Sequence, residues 1–111
     1  MKGDQLGAFE ELVLLALHGL EDKAYGMAVQ QVLEQETGRA VSLGPVYTAL
    51  DRLEGKGLVR SAMVAGTPTR GGRSRRVFRL TAAGSRALTS LQQIRARLYG
   101  RARMHPARGR S

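Results

Sequence analysis

The reading turns on residues 41–59, VSLGPVYTALDRLEGKGLV. Leu43, Val46, Leu50 and Leu53 recur at intervals of three and four, the spacing that gathers side chains on one face of a helix. Ser42 stands where an N-cap belongs, and Pro45 falls in the first turn, where backbone N–H groups have no intrahelical partner and proline is tolerated. The GKG at 55–57 ends the segment. With the apolar residues turned inward, Gly44, Thr48 and Arg52 face outward, and Tyr47 and Asp51 lie at the margins. Farther on, TRGGRSRR at 69–76 carries four arginines and no acid.

Working outward from this helix, Phe9, Leu12, Val13, Ala16, Leu17 and Leu20 predict a first helix over about residues 7–19. Tyr25, Val29, Val32 and Leu33 form the apolar stripe of a second, stopped by Gly38. Downstream, LVRSAMVA (58–65) and RRVFRL (75–80) read as strands. Phe78 and Leu80 fall on one face of the second strand, Val77 and Arg79 on the other. The GTPTRGGRS between the strands has the composition of a hairpin loop. Thr81 caps a fourth helix that carries Leu88, Leu91, Ile94 and Leu98 along one stripe. The tail, RARMHPARGRS, has few apolar residues and is expected to be disordered.

Composition limits what this arrangement does. With 111 residues and 42% apolar content, the chain suits one small soluble domain. No apolar run reaches the roughly 18 residues of a membrane span, so no insertion into a membrane is expected. Glu10 and Glu11 precede the first apolar stretch and no small-residue cleavage site follows it, against a signal peptide. Without cysteine there are no disulfides or thiolate metal sites; a cytoplasmic protein is expected. His18 and His105 are far apart and have no third ligand, and no phosphate-cradling glycine loop occurs. No catalytic residue, metal or cofactor is expected.

Charge is more informative. The net charge is +9, yet residues 1–58 hold all nine acids and only five bases, whereas residues 59–111 hold thirteen arginines and no acid. A solvated surface mixes signs, so this segregation predicts a strongly positive half. Nucleic acid is the first candidate partner, anionic lipid the second.

The elements together define a fold class that is mainly α with a small β-hairpin wing: a winged helix-turn-helix with an appended C-terminal helix. The AYG that opens the second helix, the VYTALDRLEGKGLV of the third and the RRVFRLTAAGSRAL that runs from wing to last helix resemble the PadR family of transcriptional regulators, over roughly residues 6–90. The resemblance implies a homodimeric repressor on double-stranded DNA, with helix three in the major groove, the wing on the backbone and the last helix as dimerisation helix. By family analogy a small-molecule effector could sit between the dimer helices. The chain then divides into a DNA-binding domain (1–81), a dimerisation helix (82–100) and a basic tail (101–111).

On this reading Ser42, Gly44, Pro45, Tyr47, Thr48 and Arg52 approach DNA from helix three, the compact Gly44 and Pro45 letting its positive end near a phosphate. Thr48 and Arg52 reach base edges or phosphates. The competing reading packs Tyr47 at the core edge and pairs Arg52 with Asp51 or Glu54. Arg70, Arg73, Arg75 and Arg76 supply donors that fit phosphate oxygens, although alternation means that Arg75 and Arg76 cannot point the same way, so one lies against the body. Leu88, Leu91, Ile94 and Leu98, completed by Leu6 and Phe9, form the expected dimer face. The alternatives are an RNA-binding winged helix, which the scarcity of aromatic residues disfavours, and a nucleoid-type DNA binder.

Overall fold

The computed structural model describes residues 6–65 and 74–104. Helices α1 (Ala8–Leu20), α2 (Gly26–Thr37) and α3 (Leu43–Gly55) precede an antiparallel pair of strands, β1 (Val59–Val64) and β2 (Arg75–Leu80), and α4 (Ala82–Met104) closes the chain. A single 3-10 turn, Glu21–Lys23, links α1 to α2. The fold is mainly helical with one hairpin, as the sequence predicts.

Helix α1 begins where the Glu10 carboxylate accepts the Gly7 N–H at 3.2 Å. Its buried stripe is Val13, Leu14, Ala16 and Leu17. Leu14 takes the place expected for Leu12, which is 41% exposed; residues 10, 13, 14 and 17 share one face at helical spacing, and position 12 falls off it. Helix α2 buries Val29 and Leu33 and ends at Gly38, whose φ of 69° is the left-handed value that favours glycine. The turn that follows is held by α2 itself. Gln30 donates to the Val41 carbonyl at 2.7 Å, and the Glu34 carboxylate accepts the Val41 N–H at 2.9 Å.

Helix α3 buries Val46, Ala49, Leu50 and Leu53, while Leu43 stays half-exposed. Ser42 occupies the N-cap position, but its hydroxyl makes no capping bond. A cap serves the N–H of the second or third helical residue, and the third is Pro45, which has none. At the other end Gly57, with φ 77°, donates to the Glu54 carbonyl while Leu58 donates to that of Leu53, both at 3.0 Å. This pair of hydrogen bonds closes the helix and turns the chain into β1.

The hairpin register pairs Val59 with Leu80, Ser61 with Phe78 and Val64 with Arg75. Tyr25 pairs with Val77 on the outer edge of β2, and Phe78 donates to the Ala24 carbonyl at 3.0 Å. This third contact explains why Val77 and Phe78, on opposite faces, are both buried. Phe78 is the largest fully buried side chain and packs with Leu14, Leu50 and Leu53 in one core.

Thr81 starts α4, as expected. Its hydroxyl accepts the Gly84 N–H at 3.0 Å and donates to the Gly57 carbonyl at 2.7 Å, tying the helix start to the end of α3. Two expectations for α4 change. Leu88 is 5% exposed and belongs to this chain's own core, so it is not free for a dimer face; position 88 lies one turn after Gly84, where the helix still rests on the β1–β2 body. The helix also continues past residue 100 through Met104. One glycine costs a helix about 1 kcal/mol, and the Arg, Ala and Met that follow Gly100 are good helix formers. The rest of the tail, residues 105–111 with His105, and the loop carrying Arg70 and Arg73 lie outside the described residues.

Candidate nucleic-acid interface

The outward side of α3 presents Gly44, Pro45, Thr48, Asp51 and Arg52, all exposed, with Ser42 exposed just before it. Gly44, Pro45, Thr48 and Arg52 also line a groove of about 640 Å³ shared with Gly7, Phe9 and Glu10 at the start of α1. Among the described residues no carboxylate lies within 4.0 Å of Arg52, so the pairing with Asp51 or Glu54 does not form.

Those two acids are engaged by Arg76. Its guanidinium lies 3.2 Å from Asp51 and 2.9 Å from Glu54, and 4.8 Å above the centre of the Phe78 ring. Of the two adjacent arginines, Arg76 is therefore the one turned into the body, and it is not the free phosphate donor expected from sequence. Arg75 is exposed on the other face, 5.1 Å from the centre of the Tyr25 ring. Glu54 is fixed further by Ser61, which donates from its hydroxyl at 2.8 Å and its N–H at 3.2 Å. These bonds, with Arg76 beside them, hold its carboxyl below the usual carboxylate range. The end of α3 is thereby locked to both wing strands.

Tyr47 is half-buried. Its ring lies against Gly26 and is tilted 57° to Phe78 with centroids 6.2 Å apart. The glycine of AYG and the tyrosine of VYTAL thus form one contact, which sets how α2 carries α3. The Thr-Ala-Ala-Gly sequence has a similar basis: Gly84 rests on the Leu58 carbonyl, where no side chain fits.

Sequence reasoning missed two ion pairs. Lys56 at the end of α3 binds Glu10 at 2.6 Å, and Arg95 on α4 binds Glu11 at 2.7 Å. Both carboxylates are nearly buried, with side chains 11% exposed. The Lys56 ammonium holds the Glu10 carboxyl below its usual range. Two acids inside an apolar helix were the available signal, since acids are buried only when paired.

The remaining face of α4 is open. Ile94 is 44% exposed, Leu98 60% and Tyr99 77%, while Leu91, Leu6 and Phe9 are half-buried. A cavity of about 590 Å³ lies between α1 and α4, lined by Leu6, Glu11, Lys56, Leu58, Ala87 and Leu91. No helix among the described residues is long and apolar enough to cross a membrane.

Three helices, a wing docked on the third and a long trailing helix make this a winged helix-turn-helix protein of the DNA-binding regulator class. The sequence profile of the family described as "Transcriptional regulator PadR-like family" matches residues 14–90, and the chain belongs to that family. Solved structures agree. A PadR-like transcription factor from Bacteroides fragilis superposes with a TM-score of 0.72 at 27% identity, covering 86% of this chain and 87% of that one. A PadR family regulator from hypervirulent Clostridium difficile gives 0.68 at 25% identity, covering 88% and 97%. One from Eggerthella lenta gives 0.63 at 29% identity, covering 84% and 80%. The comparison with curated proteins yields no match.

Proposed function

We propose that the protein is a repressor that binds a palindromic operator in double-stranded DNA as a homodimer. Helix α3 enters the major groove, where a helix fits and base edges are distinguishable. Gly44 and Pro45 bring its N-terminal end to a phosphate, and Thr48 and Arg52 reach the bases. Arg70 and Arg73 hold the backbone, and Arg76 and Tyr47 brace the reading helix from behind. The dimer forms through Leu91, Ile94, Leu98 and Tyr99, with Leu6 and Phe9 beside them. An apolar effector would enter the cavity between α1 and α4.

One observation carries this reading. Arg76 engages both acids next to Arg52, which leaves Arg52 exposed beside Thr48 with no carboxylate within 4.0 Å among the described residues. Selection of bound duplexes from a random DNA pool tests it. An enriched inverted repeat is the expected result. A pool that shows no enrichment overturns sequence-specific binding and favours the nucleoid-type or RNA-binding alternative.

A further inference from the structure

Alternation sorts the hairpin onto two faces. Ser61, Arg76 and Phe78 lie on the face that meets α3, through Glu54, Asp51 and Tyr47. The opposite face carries Arg60, Arg75 and Arg79. Arg60 sits directly across from Arg79 in the register, and Tyr25, paired with Val77, places its ring on the same side beneath Arg75.

All three arginines are exposed, and among the described residues none has a carboxylate within 4.0 Å. Glu21 and Asp22 line a groove with Arg79 but form no ion pair with it. Like charges directly opposite each other destabilise a sheet, so the fold gains nothing from placing Arg60 across from Arg79. Arg76, on the inner face, is neutralised twice over. Arg75 rests on the Tyr25 ring, whereas Arg60 and Arg79 have no ion-pair partner among the described residues.

We propose that this outer face is a second, sequence-independent DNA surface that holds the backbone of a duplex segment other than the one on α3; the proposal rests on the DNA-binding reading above. Arg75 and Arg79 are four residues apart on one strand, about 13 Å at strand rise. Measured along the duplex axis, where each strand carries one phosphate per about 3.4 Å, that distance takes in about four phosphates. The planar guanidinium fork suits phosphate oxygens. Because α3 packs on the inner face, a duplex on α3 and one on the outer face lie on different sides of the hairpin. DNA flanking a bound operator is also present at high effective concentration, so weak backbone contacts suffice to recruit it.

The test offers full-length protein, held on bead-tethered operator duplex, a free labelled duplex that lacks the operator. Wild type captures the label. Arg60→Ser/Arg79→Ser stays on the operator beads with unchanged affinity, captures severalfold less label, and lowers the log–log salt slope of capture by about 0.9 for each arginine removed. The variant should unfold at or above the wild-type temperature, because a repulsive pair has gone. Equal capture by the two proteins overturns the proposal. Loss of the variant from the operator beads overturns it too, by making the face part of the operator interface. Capture displaced more readily by polyglutamate than by unlabelled duplex assigns the face to an acidic protein instead. If wild type is not retained on operator beads, the operator reading fails. Capture is then read on tag-immobilised protein, where equal signals again overturn the second surface and a deficit in the variant sustains it.

Discussion

Gly26 lies so close to the ring of Tyr47 that a Cβ on Gly26 would clash with the phenol. This one contact joins the first turn of α2 to the second turn of α3, the helix proposed to read DNA. Gly26→Ala must push the ring aside, and because Tyr47 also packs on Phe78 the displacement reaches the core. Overpacking of this kind costs roughly 1–3 kcal/mol. Urea unfolding should show that loss, and Tyr47→Ala in the same chain should recover part of it, giving a non-zero coupling energy in the double-mutant cycle.

Gly84 is constrained more severely, because its neighbour is the Leu58 carbonyl and not a side chain that can swing away. That carbonyl also accepts the Thr81 N–H at 3.0 Å. Gly84→Ala should therefore destabilise more than Gly26→Ala in the same urea experiment. Thr81→Ala, which removes the cap on the Gly84 N–H, should cost about 1 kcal/mol. Equal losses for the two glycine variants would mean that α4 shifts freely on the hairpin.

Acid should weaken the protein through Glu10. Lys56 holds its carboxyl below the ordinary value of 4.5, so the unfolded chain takes up a proton at higher pH than the folded one. The contribution is complete above about pH 4.5 and is lost as pH falls through the lower folded value. Glu10→Gln should be less stable than wild type near neutrality and show a flatter decline under acid. Urea midpoints measured between about pH 3 and pH 7 give both curves, and parallel curves would remove Glu10 from the account.

The legible part of this protein is what repeats or punctuates. Val46, Leu50 and Leu53 declare the buried side of α3 by spacing alone, and Gly38 and Thr81 mark helix ends because their local chemistry is specific. Contacts between distant residues leave no such trace. Nothing near Glu11 announces Arg95, and the neutralisation of Asp51 by Arg76 depends on a hairpin register that strand alternation suggests but does not assign. Leu88 misled for a similar reason. A stripe on an amphipathic helix shows which residues are buried but not whether the cover comes from the same chain, and here the stripe divides, with Leu88 inside the core and Ile94 and Leu98 beyond it.

That division can be measured. Leu88→Ala should cost roughly 2–5 kcal/mol of stability, as removal of buried methyl groups does. Ile94→Glu/Leu98→Glu should leave the winged domain folded, because both side chains are substantially exposed, and halve the mass seen by light scattering at micromolar concentration. A wild-type protein that is already monomeric under those conditions would end the dimer proposal.

The final prediction separates the groups that position the protein from those that read sequence. Phosphate contacts carry no sequence information but set the salt dependence, at about 0.9 in the log–log slope for each contact. Arg70→Ala and Arg73→Ala should thus weaken binding to selected and scrambled duplexes alike and flatten that slope by about this amount apiece. Thr48→Ala should instead cost roughly 1–3 kcal/mol on the selected duplex, little on the scrambled one, and leave the slope unchanged. Arg76→Ala distinguishes bracing from contact. It releases Asp51 and Glu54 beside Arg52, so binding to every duplex should fall by repulsion, and Asp51→Asn in the same chain should restore part of it. A phosphate donor at position 76 would show no such rescue, and its loss would flatten the salt slope as the loop arginines do.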